Sequence, residues 1–372
     1  MGAGKHVVLV GGGHAHLYAL KRADQYARRG LRLTLISPRP RLVYSAMSVR
    51  LASGADTIDH MSVDVRRLVN TGGGRFIEAA AARIDRENRA VELTDGAVDW
   101  DLLSVNVGST VRLPDGFNGV HGVLSIKPFE NLPQARSKLV EILDDTSREV
   151  RALVIGSGPA GCEFAASLGT LTNRGGRRPA VAVAGSANRP LASLPAVAAE
   201  HLARNFAARG IRVLSGRRAV RAEEGSVSFD DGSSEPFDRL FWAGGPVPPT
   251  LARDSALSVD DAGYMLVNDC LQSIDDADIF GGGDCVRLAG RPLIDRAGVH
   301  AIRQGPILHR NLLARAAGEP LRAYRPQERI LLILNLSDGH GLAARGRLAF
   351  YGRWPLWLKN RLDGRFLRTY AT

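Results

Sequence analysis

The chain has 372 residues, of which 45% are hydrophobic and 23% charged, as in a globular protein with room for two or three domains. No run of 18 uncharged apolar residues occurs, which excludes a membrane-spanning helix, and a strand predicted from residue 6 leaves no room for a signal peptide. We therefore expect a cytoplasmic protein. Cys162, Cys270 and Cys285 form no CxxC or CxxxxC pair, so the sequence predicts neither a metal site nor a redox disulfide.

The N-terminal stretch predicts a βαβ unit. Residues 6–10 and 31–36 are apolar strands without alternation, as expected for parallel strands covered on both faces, and residues 14–29 are helix-like. The turn between them reads Gly11-Gly12-Gly13-His14-Ala15-His16. In a GxGxxG turn the first glycine makes the bend, the second admits a pyrophosphate and the third packs the helix on the strand. Here His16 takes the third place.

A second βαβ unit is predicted over residues 151–184. Its turn has all three glycines, Gly156, Gly158 and Gly161, between a strand at 152–155 and a helix from 159 to about 172. Two such turns in one chain predict two dinucleotides held face to face, which is an arrangement for electron transfer.

Alternating stretches after each unit predict antiparallel meanders. The first comprises residues 75–85 and 90–93, and the second comprises 212–214, 226–229 and 240–242. Both are followed by similar short segments, Val107-Gly108-Ser109 and Ala243-Gly244-Gly245. The chain therefore carries a weak internal duplication.

The acidic residue that usually holds an adenosine ribose is missing from both units. Ser37 ends the first unit, where its hydroxyl could bond a ribose 2′-hydroxyl. Arg189 lies near the end of the second unit, where it is either a ligand for the 2′-phosphate of NADPH or an ordinary solvated loop residue. The choice between NADH and NADPH stays open.

A third apolar strand ends in Gly281-Gly282-Gly283-Asp284, and a helix is predicted from about Ala297 to 317. Asp284 fits equally well as an acceptor for a flavin ribityl hydroxyl or as a helix cap.

The residues from 325 onward predict a separate segment with a strand at 330–336 and an aromatic, basic helix from 355. Ten basic residues face three acidic ones between 321 and 372, so this stretch carries +7 of the net charge of +11. One helical face is predicted to hold Trp357, Leu358, Leu362 and Phe366, flanked by Lys359, Arg361, Arg365 and Arg368. Such a helix suits an anionic membrane surface, with packing on its own domain or on a dimer partner as the alternative.

Together these motifs resemble the two-dinucleotide-binding flavoproteins of the pyridine nucleotide-disulfide reductase fold. Within it they look like the type II NADH dehydrogenase and apoptosis-inducing-factor-like quinone reductase branch. The resemblance implies an α/β fold with two Rossmann-like domains, inserted antiparallel meanders and a C-terminal segment. It implies an FAD-binding domain at 1–115 and 262–324, an NAD(P)H-binding domain at 116–261, and a quinone, membrane or dimerisation segment at 325–372.

The resemblance also implies site residues. FAD is expected at Gly11, Gly12, Gly13, His14, Ser37, Arg39, Gly108, Gly283, Asp284 and Gly298. NAD(P)H is expected at Gly156, Gly158, Gly161, Gly244 and Gly245. Glu163, Ala297 and Gln304 are the expected catalytic residues, with Glu163 near the nicotinamide or, alternatively, only a glutamate favoured by the helix dipole.

The expected function is that of an FAD-dependent NAD(P)H:quinone oxidoreductase, with the quinone near residues 44–47 and the helix from Ala297. No cysteine follows Ser37 at the redox-disulfide position, so electrons are expected to leave the flavin directly. No cysteine follows Cys285 that could complete a sulfur relay, which disfavours sulfide oxidation.

Two alternative functions stay open, a reductase for a protein electron carrier such as ferredoxin and a non-catalytic nucleotide sensor. No nucleic-acid partner is expected, and a peripheral place on the inner face of the cell membrane and a homodimer are further expectations.

Overall fold

The computed structural model describes residues 4–145, 148–291 and 298–371. The strands in chain order are β1 His6–Val10, β2 Arg32–Ser37, β3 Arg41–Val43, β4 Ser62–Asp64, β5 Arg75–Glu78, β6 Ala81–Asp85, β7 Ala90–Leu93, β8 Ala97–Asp99, β9 Leu102–Val105, β10 Val123–Ser125, β11 Arg151–Ile155, β12 Ala180–Gly185, β13 Arg212–Ser215, β14 Ala219–Glu223, β15 Ser226–Phe229, β16 Ser234–Pro236, β17 Arg239–Trp242, β18 Met265–Val267, β19 Ile279–Gly281, β20 Val286–Leu288, β21 Leu332–Asn335, β22 Gly341–Arg345 and β23 Leu348–Gly352. The α-helices are α1 Leu17–Leu20, α2 Ala23–Ala27, α3 Val49–Ser53, α4 Val65–Thr71, α5 Leu132–Asp145, α6 Pro159–Leu168, α7 Ala196–Ala208, α8 Leu251–Asp254, α9 Gly298–Ala317 and α10 Arg353–Tyr370.

The first parallel sheet has the strand order β19-β9-β1-β2-β5. Its central strand β1 is buried on both faces, as its unbroken apolar run predicts. The late strand β19 joins the sheet beside β9, where Phe280 pairs in parallel with Ser104. The carboxyl ends of β1, β9 and β19 therefore meet at one edge, which brings together three segments that are far apart in the sequence.

The second parallel sheet has the order β10-β17-β11-β12-β13. Its central strand β11 lies between β12 and β17, as β1 lies between β2 and β9 in the first sheet. The two sheets therefore repeat one pattern, in agreement with the internal duplication seen in the sequence.

Each sheet carries a three-stranded antiparallel meander, β6-β7-β8 on the first and β14-β15-β16 on the second. Three stretches predicted for the meanders were assigned wrongly. Residues 75–78 form β5, residues 212–215 form β13 and residues 239–242 form β17, and all three belong to the parallel sheets. β5 and β13 are edge strands without a fully buried residue, so their pattern did not distinguish them from antiparallel strands.

The helix predicted at 14–29 is broken into α1 and α2. Between them Arg22 leaves the helical region and places its guanidinium 3.6 Å from the centre of the Tyr18 ring. The C-terminal segment forms the sheet β21-β22-β23, and α10 packs across it, unbroken at Gly364. None of the described helices combines the length and the apolar character that crossing a bilayer would require.

Candidate active site

The first glycine turn presses against the end of β9. Gly11 has a φ of +91°, and a Cβ there would lie 2.3 Å from the carbonyl oxygen of Asn106. A Cβ on Gly13 would lie 1.6 Å from Asn106 Oδ1. Both positions therefore require glycine, because the turn packs directly on Asn106.

His16 replaces the third glycine of this turn with a buried pair of hydrogen bonds. Its Nδ1 lies 2.7 Å from the carbonyl oxygen of Gly11, and its Nε2 lies 2.9 Å from Ser104 Oγ. Burial lowers the pKa of His16 to about 4, so the ring is neutral at pH 7. Because a carbonyl only accepts, Nδ1 donates to Gly11 and Nε2 accepts from Ser104.

In the second glycine turn the third glycine packs directly on the carbonyl of the first, where the first turn has a histidine hydrogen bond. Gly156 has a φ of +119°, and a Cβ on Gly161 would lie 1.7 Å from the Gly156 carbonyl oxygen. A Cβ on Gly158 or Gly245 would meet no described atom within 4 Å. These two positions therefore border open space, beside the N-terminus of α6, where phosphates are favoured. Gly244 instead abuts the Trp242 indole, 2.3 Å from where its Cβ would stand.

The predicted adenosine ligands already have partners within the protein. Ser37 Oγ donates to the carbonyl oxygen of Arg39 over 3.0 Å, and Arg39 forms a 2.6 Å ion pair with Glu130. Arg189 is neither free nor simply solvated, because it donates to the carbonyl oxygens of Leu191, Ala192 and Leu194. Contact of Ser37 and Arg39 with FAD stays a prediction.

The Asp284 loop is held from both sides. Gln304 Oε1 on α9 accepts from the Gly283 N–H over 2.6 Å, and Ser109 Oγ donates to Asp284 Oδ2 over 3.1 Å. Gly108, with a φ of +71°, borders open space. Gly298 begins α9 and a Cβ on it would also meet no described atom within 4 Å, whereas Ala297 lies outside the described residues.

Glu163 on α6 is partly buried and meets the C-terminal segment. Its Oε1 accepts from the Asn335 N–H of β21 over 2.6 Å. Burial raises the pKa of Glu163 to about 7, with nearby Asp363 also raising it and Lys359 and the Asn335 N–H lowering it. The carboxyl therefore gains and loses a proton near neutral pH.

The inner face of α10 carries charge, which sequence reasoning missed. Lys359 and Asp363 are buried and form a 3.0 Å ion pair one helical turn apart. Lys359 Nζ also donates to the carbonyl oxygen of Ala46 over 2.7 Å, and the Tyr44 hydroxyl donates to Asp363 over 3.1 Å. The prediction that Lys359 flanks an apolar face was wrong, because this ion pair points inward.

The predicted apolar face of α10 is also split. Leu358 and Phe366 are partly buried, whereas Trp357 and Leu362 are exposed at 62% and 48%. The helix turns its charged pair inward because that pair satisfies polar groups of the first domain, and this leaves apolar side chains outside.

An aromatic group lies beside the first glycine turn. Tyr44 and Phe366 stack with ring centres 4.3 Å apart, and the His14 ring lies 5.6 and 5.8 Å from them. Burial lowers the pKa of His14 to about 4, and its buried Nε2 has no hydrogen-bond partner among the described residues. His14 thus has one unused polar atom, and its contact with FAD stays a prediction.

The three cysteines are free thiols. Burial raises the pKa of Cys162 to about 12 and that of Cys285 to about 11, so both stay protonated at neutral pH. Neither provides a thiolate for chemistry.

Comparisons with known proteins agree with this architecture. Residues 5–305 match the family described as pyridine nucleotide-disulphide oxidoreductase. The chain is 25% identical to demethylphylloquinone reductase NdbB of Synechocystis sp., over 94% of this chain and 92% of that protein. It is 24% identical to the type II NADH:quinone oxidoreductase of Staphylococcus saprophyticus, over 97% and 94%.

A solved structure of NDH2 from Plasmodium falciparum in complex with NADH superposes with a TM-score of 0.84 at 13% identity, covering 99% of this chain and 95% of that one. The α/β fold with two Rossmann-like domains, predicted from the motifs, is confirmed. So is the resemblance itself: the chain belongs to the pyridine nucleotide-disulphide oxidoreductase family.

Proposed function

We propose that the protein is an FAD-dependent NAD(P)H:quinone oxidoreductase. The observation that carries this proposal is the pair of closed glycine turns, one at the carboxyl edge of each parallel sheet. The relatives named as quinone reductases match nearly the whole chain. Protonated, unpaired thiols support direct transfer from flavin to quinone rather than through a disulfide.

The residues present fit FAD. Gly11 and Gly13 hold the first turn against the end of β9, Gly108 borders open space, and Asp284 is fixed as an acceptor near His14 with its unused Nε2. Ser37 replaces the usual ribose carboxylate, so we expect the adenosine end to depend on backbone contacts and on Ser37.

The site residues then have distinct tasks. A bound flavin supplies hydride acceptance from NAD(P)H and two-electron transfer to a quinone. Reduction of a quinone also takes up two protons, and Glu163, with a pKa of about 7, can hold one near neutral pH. Gln304 is assigned to positioning, since its side chain is occupied in holding the Gly283 N–H.

We also propose that the outer face of the C-terminal segment binds anionic lipid. This face exposes Leu348, Phe350, Trp354, Trp357 and Leu362. Arg361 lies 5.8 Å from the centre of the Trp357 ring, and Arg353, Arg365 and Arg368 are exposed on the same helix. Aromatic and basic side chains together are favoured at the surface of an anionic bilayer.

The activity is tested with purified protein supplied with FAD. We expect a flavin absorbance spectrum that bleaches on anaerobic addition of NADH or NADPH and returns when a quinone is added. A protein that binds no flavin, or whose bleached spectrum is not restored by any quinone, would refute the proposal.

Flotation with vesicles tests the membrane surface. The protein is expected to float with anionic vesicles, and Trp357→Ser with Arg361→Gln should weaken this, whereas the exposed but distant Val220→Ser should not. Failure to float, together with salt-sensitive binding to an acidic ferredoxin, would instead support a protein-carrier reductase. Dimerisation that depends on Trp357 would assign this face to a second copy.

A further inference from the structure

Lys127 reaches from the second domain into the edge of the first sheet. It lies between β10 and α5. Its Nζ donates to Ser109 Oγ over 3.0 Å and approaches the Ser109 carbonyl oxygen at 3.4 Å. Ser109 Oγ donates in turn to Asp284 Oδ2. The ammonium thus ends a hydrogen-bonded chain that begins at the loop expected to hold the flavin.

The charge of Lys127 lacks a direct counter-ion. No carboxylate oxygen of residues 4–145, 148–291 or 298–371 is within ion-pair distance of its Nζ, and its hydrogen-bond acceptors there are the hydroxyl and carbonyl of one serine. Burial lowers the pKa of Lys127, although Asp284 acts across the intervening hydroxyl to raise it. The centre of the Phe129 ring lies 5.6 Å from the Lys127 Nζ and supplies a weak cation–π contact. A partly buried cation without a carboxylate partner favours an anion beside it.

Reduction of the expected flavin would provide such an anion, because it would add negative charge to the ring. A flavin bound here would gain two electrons and one proton on accepting a hydride from NAD(P)H, and would therefore carry one additional negative charge until a second proton was taken up. The pyrophosphate of FAD is a different anion, present in both oxidation states, and the glycine turn at Gly11 and Gly13 is its expected place.

We propose that Lys127 supplies the positive charge that stabilises the two-electron-reduced flavin relative to the oxidised flavin. Ser109 positions the ammonium by accepting its hydrogen bond, and it insulates the ammonium from Asp284, which would otherwise neutralise it. This inference rests on the proposed binding of FAD, and it adds the residue that sets the balance between the two oxidation states.

The test is a spectroelectrochemical titration of the FAD-loaded protein and of two variants. Lys127→Gln keeps a donor for Ser109 but removes the charge, and Lys127→Arg keeps the charge. We expect Lys127→Gln to bind reduced flavin about tenfold more weakly relative to oxidised flavin, which lowers the two-electron midpoint potential by about 30 mV. Lys127→Arg should stay near the wild-type potential.

Affinity for oxidised FAD, measured by adding FAD to the apoprotein, separates this role from the others. The inference requires that this affinity change little in Lys127→Gln. An equal loss of affinity in both oxidation states would assign Lys127 to the pyrophosphate and overturn the inference, as would an unchanged potential. If the potential shifts as expected but no quinone is reduced, the inference holds and the proposed acceptor is wrong.

Discussion

Replacing Glu163 by glutamine should remove a specific pH dependence of stability. The folded protein raises the pKa of this carboxyl from 4.5 to about 7, so between these pH values the folded state binds a proton that the unfolded state has released. The stabilisation from this proton is fully present below pH 4.5 and is lost as the pH rises through 7. At 1.36 kcal/mol for each pH unit, the loss amounts to roughly 3 kcal/mol.

Urea unfolding of wild type and Glu163→Gln between pH 4.5 and 8 measures this loss. The glutamine oxygen can still accept from the Asn335 N–H, so the local geometry is kept. The free energy of unfolding of the wild type, relative to the variant, should fall by roughly 3 kcal/mol across this range.

Glu200→Gln is the matched control, because Glu200 is also on a helix of the second domain but is 61% exposed. A fall of the same size in this variant would show that the loss does not come from the Glu163 carboxyl. A difference that stays flat with pH for Glu163→Gln would refute the reasoning, since it would mean that folding does not favour the protonated carboxyl.

Three further sets of substitutions test the architecture. Gly161→Ala should prevent closure of the second turn, since its Cβ would lie 1.7 Å from a carbonyl oxygen, whereas Gly158→Ala should fold and only weaken NAD(P)H binding. Circular dichroism and NAD(P)H titration measure the two effects, and equal behaviour of the two variants would contradict the prediction. Lys359→Met leaves the buried Asp363 carboxylate without its counter-ion, with only the Tyr44 hydroxyl still donating to it, so urea titration should show a loss of about 3–5 kcal/mol. The double variant with Asp363→Leu should lose less. His16→Ala should lower the free energy of unfolding by about 1–3 kcal/mol, and an unchanged midpoint would show that its two hydrogen bonds contribute nothing.

The glycine turns and the central strands could be predicted because their requirements are local. A left-handed φ at Gly11 or Gly156 selects glycine whatever the rest of the chain does, and a strand buried on both faces leaves an unbroken apolar run. The edge strands β5 and β13 were predicted wrongly as antiparallel, because half-buried strands show similar sequence patterns in parallel and antiparallel sheets.

The polar contacts between segments could not be predicted. Lys127 meets Asp284 only through Ser109. The contact forms because β9 and β19 end side by side in the first sheet and the segment after β10 of the second sheet reaches them, which no spacing in the sequence indicates. Lys359 and Asp363 have the spacing of an ordinary exposed ion pair on a helix. Their burial follows from where the C-terminal sheet places α10, which depends on the whole fold.

The two ways of closing a glycine turn have a consequence for how such turns are found. In the second turn α6 begins at Pro159, directly after the second glycine, so a glycine must face the Gly156 carbonyl. In the first turn α1 begins later, at Leu17, and the imidazole of His16 donates to the corresponding carbonyl. The third position therefore faces the carbonyl oxygen of the first glycine, and it either leaves room for that oxygen, as Gly161 does, or donates a hydrogen bond to it, as His16 does. A pattern search that insists on glycine there would pass over chains whose turn is closed by a histidine.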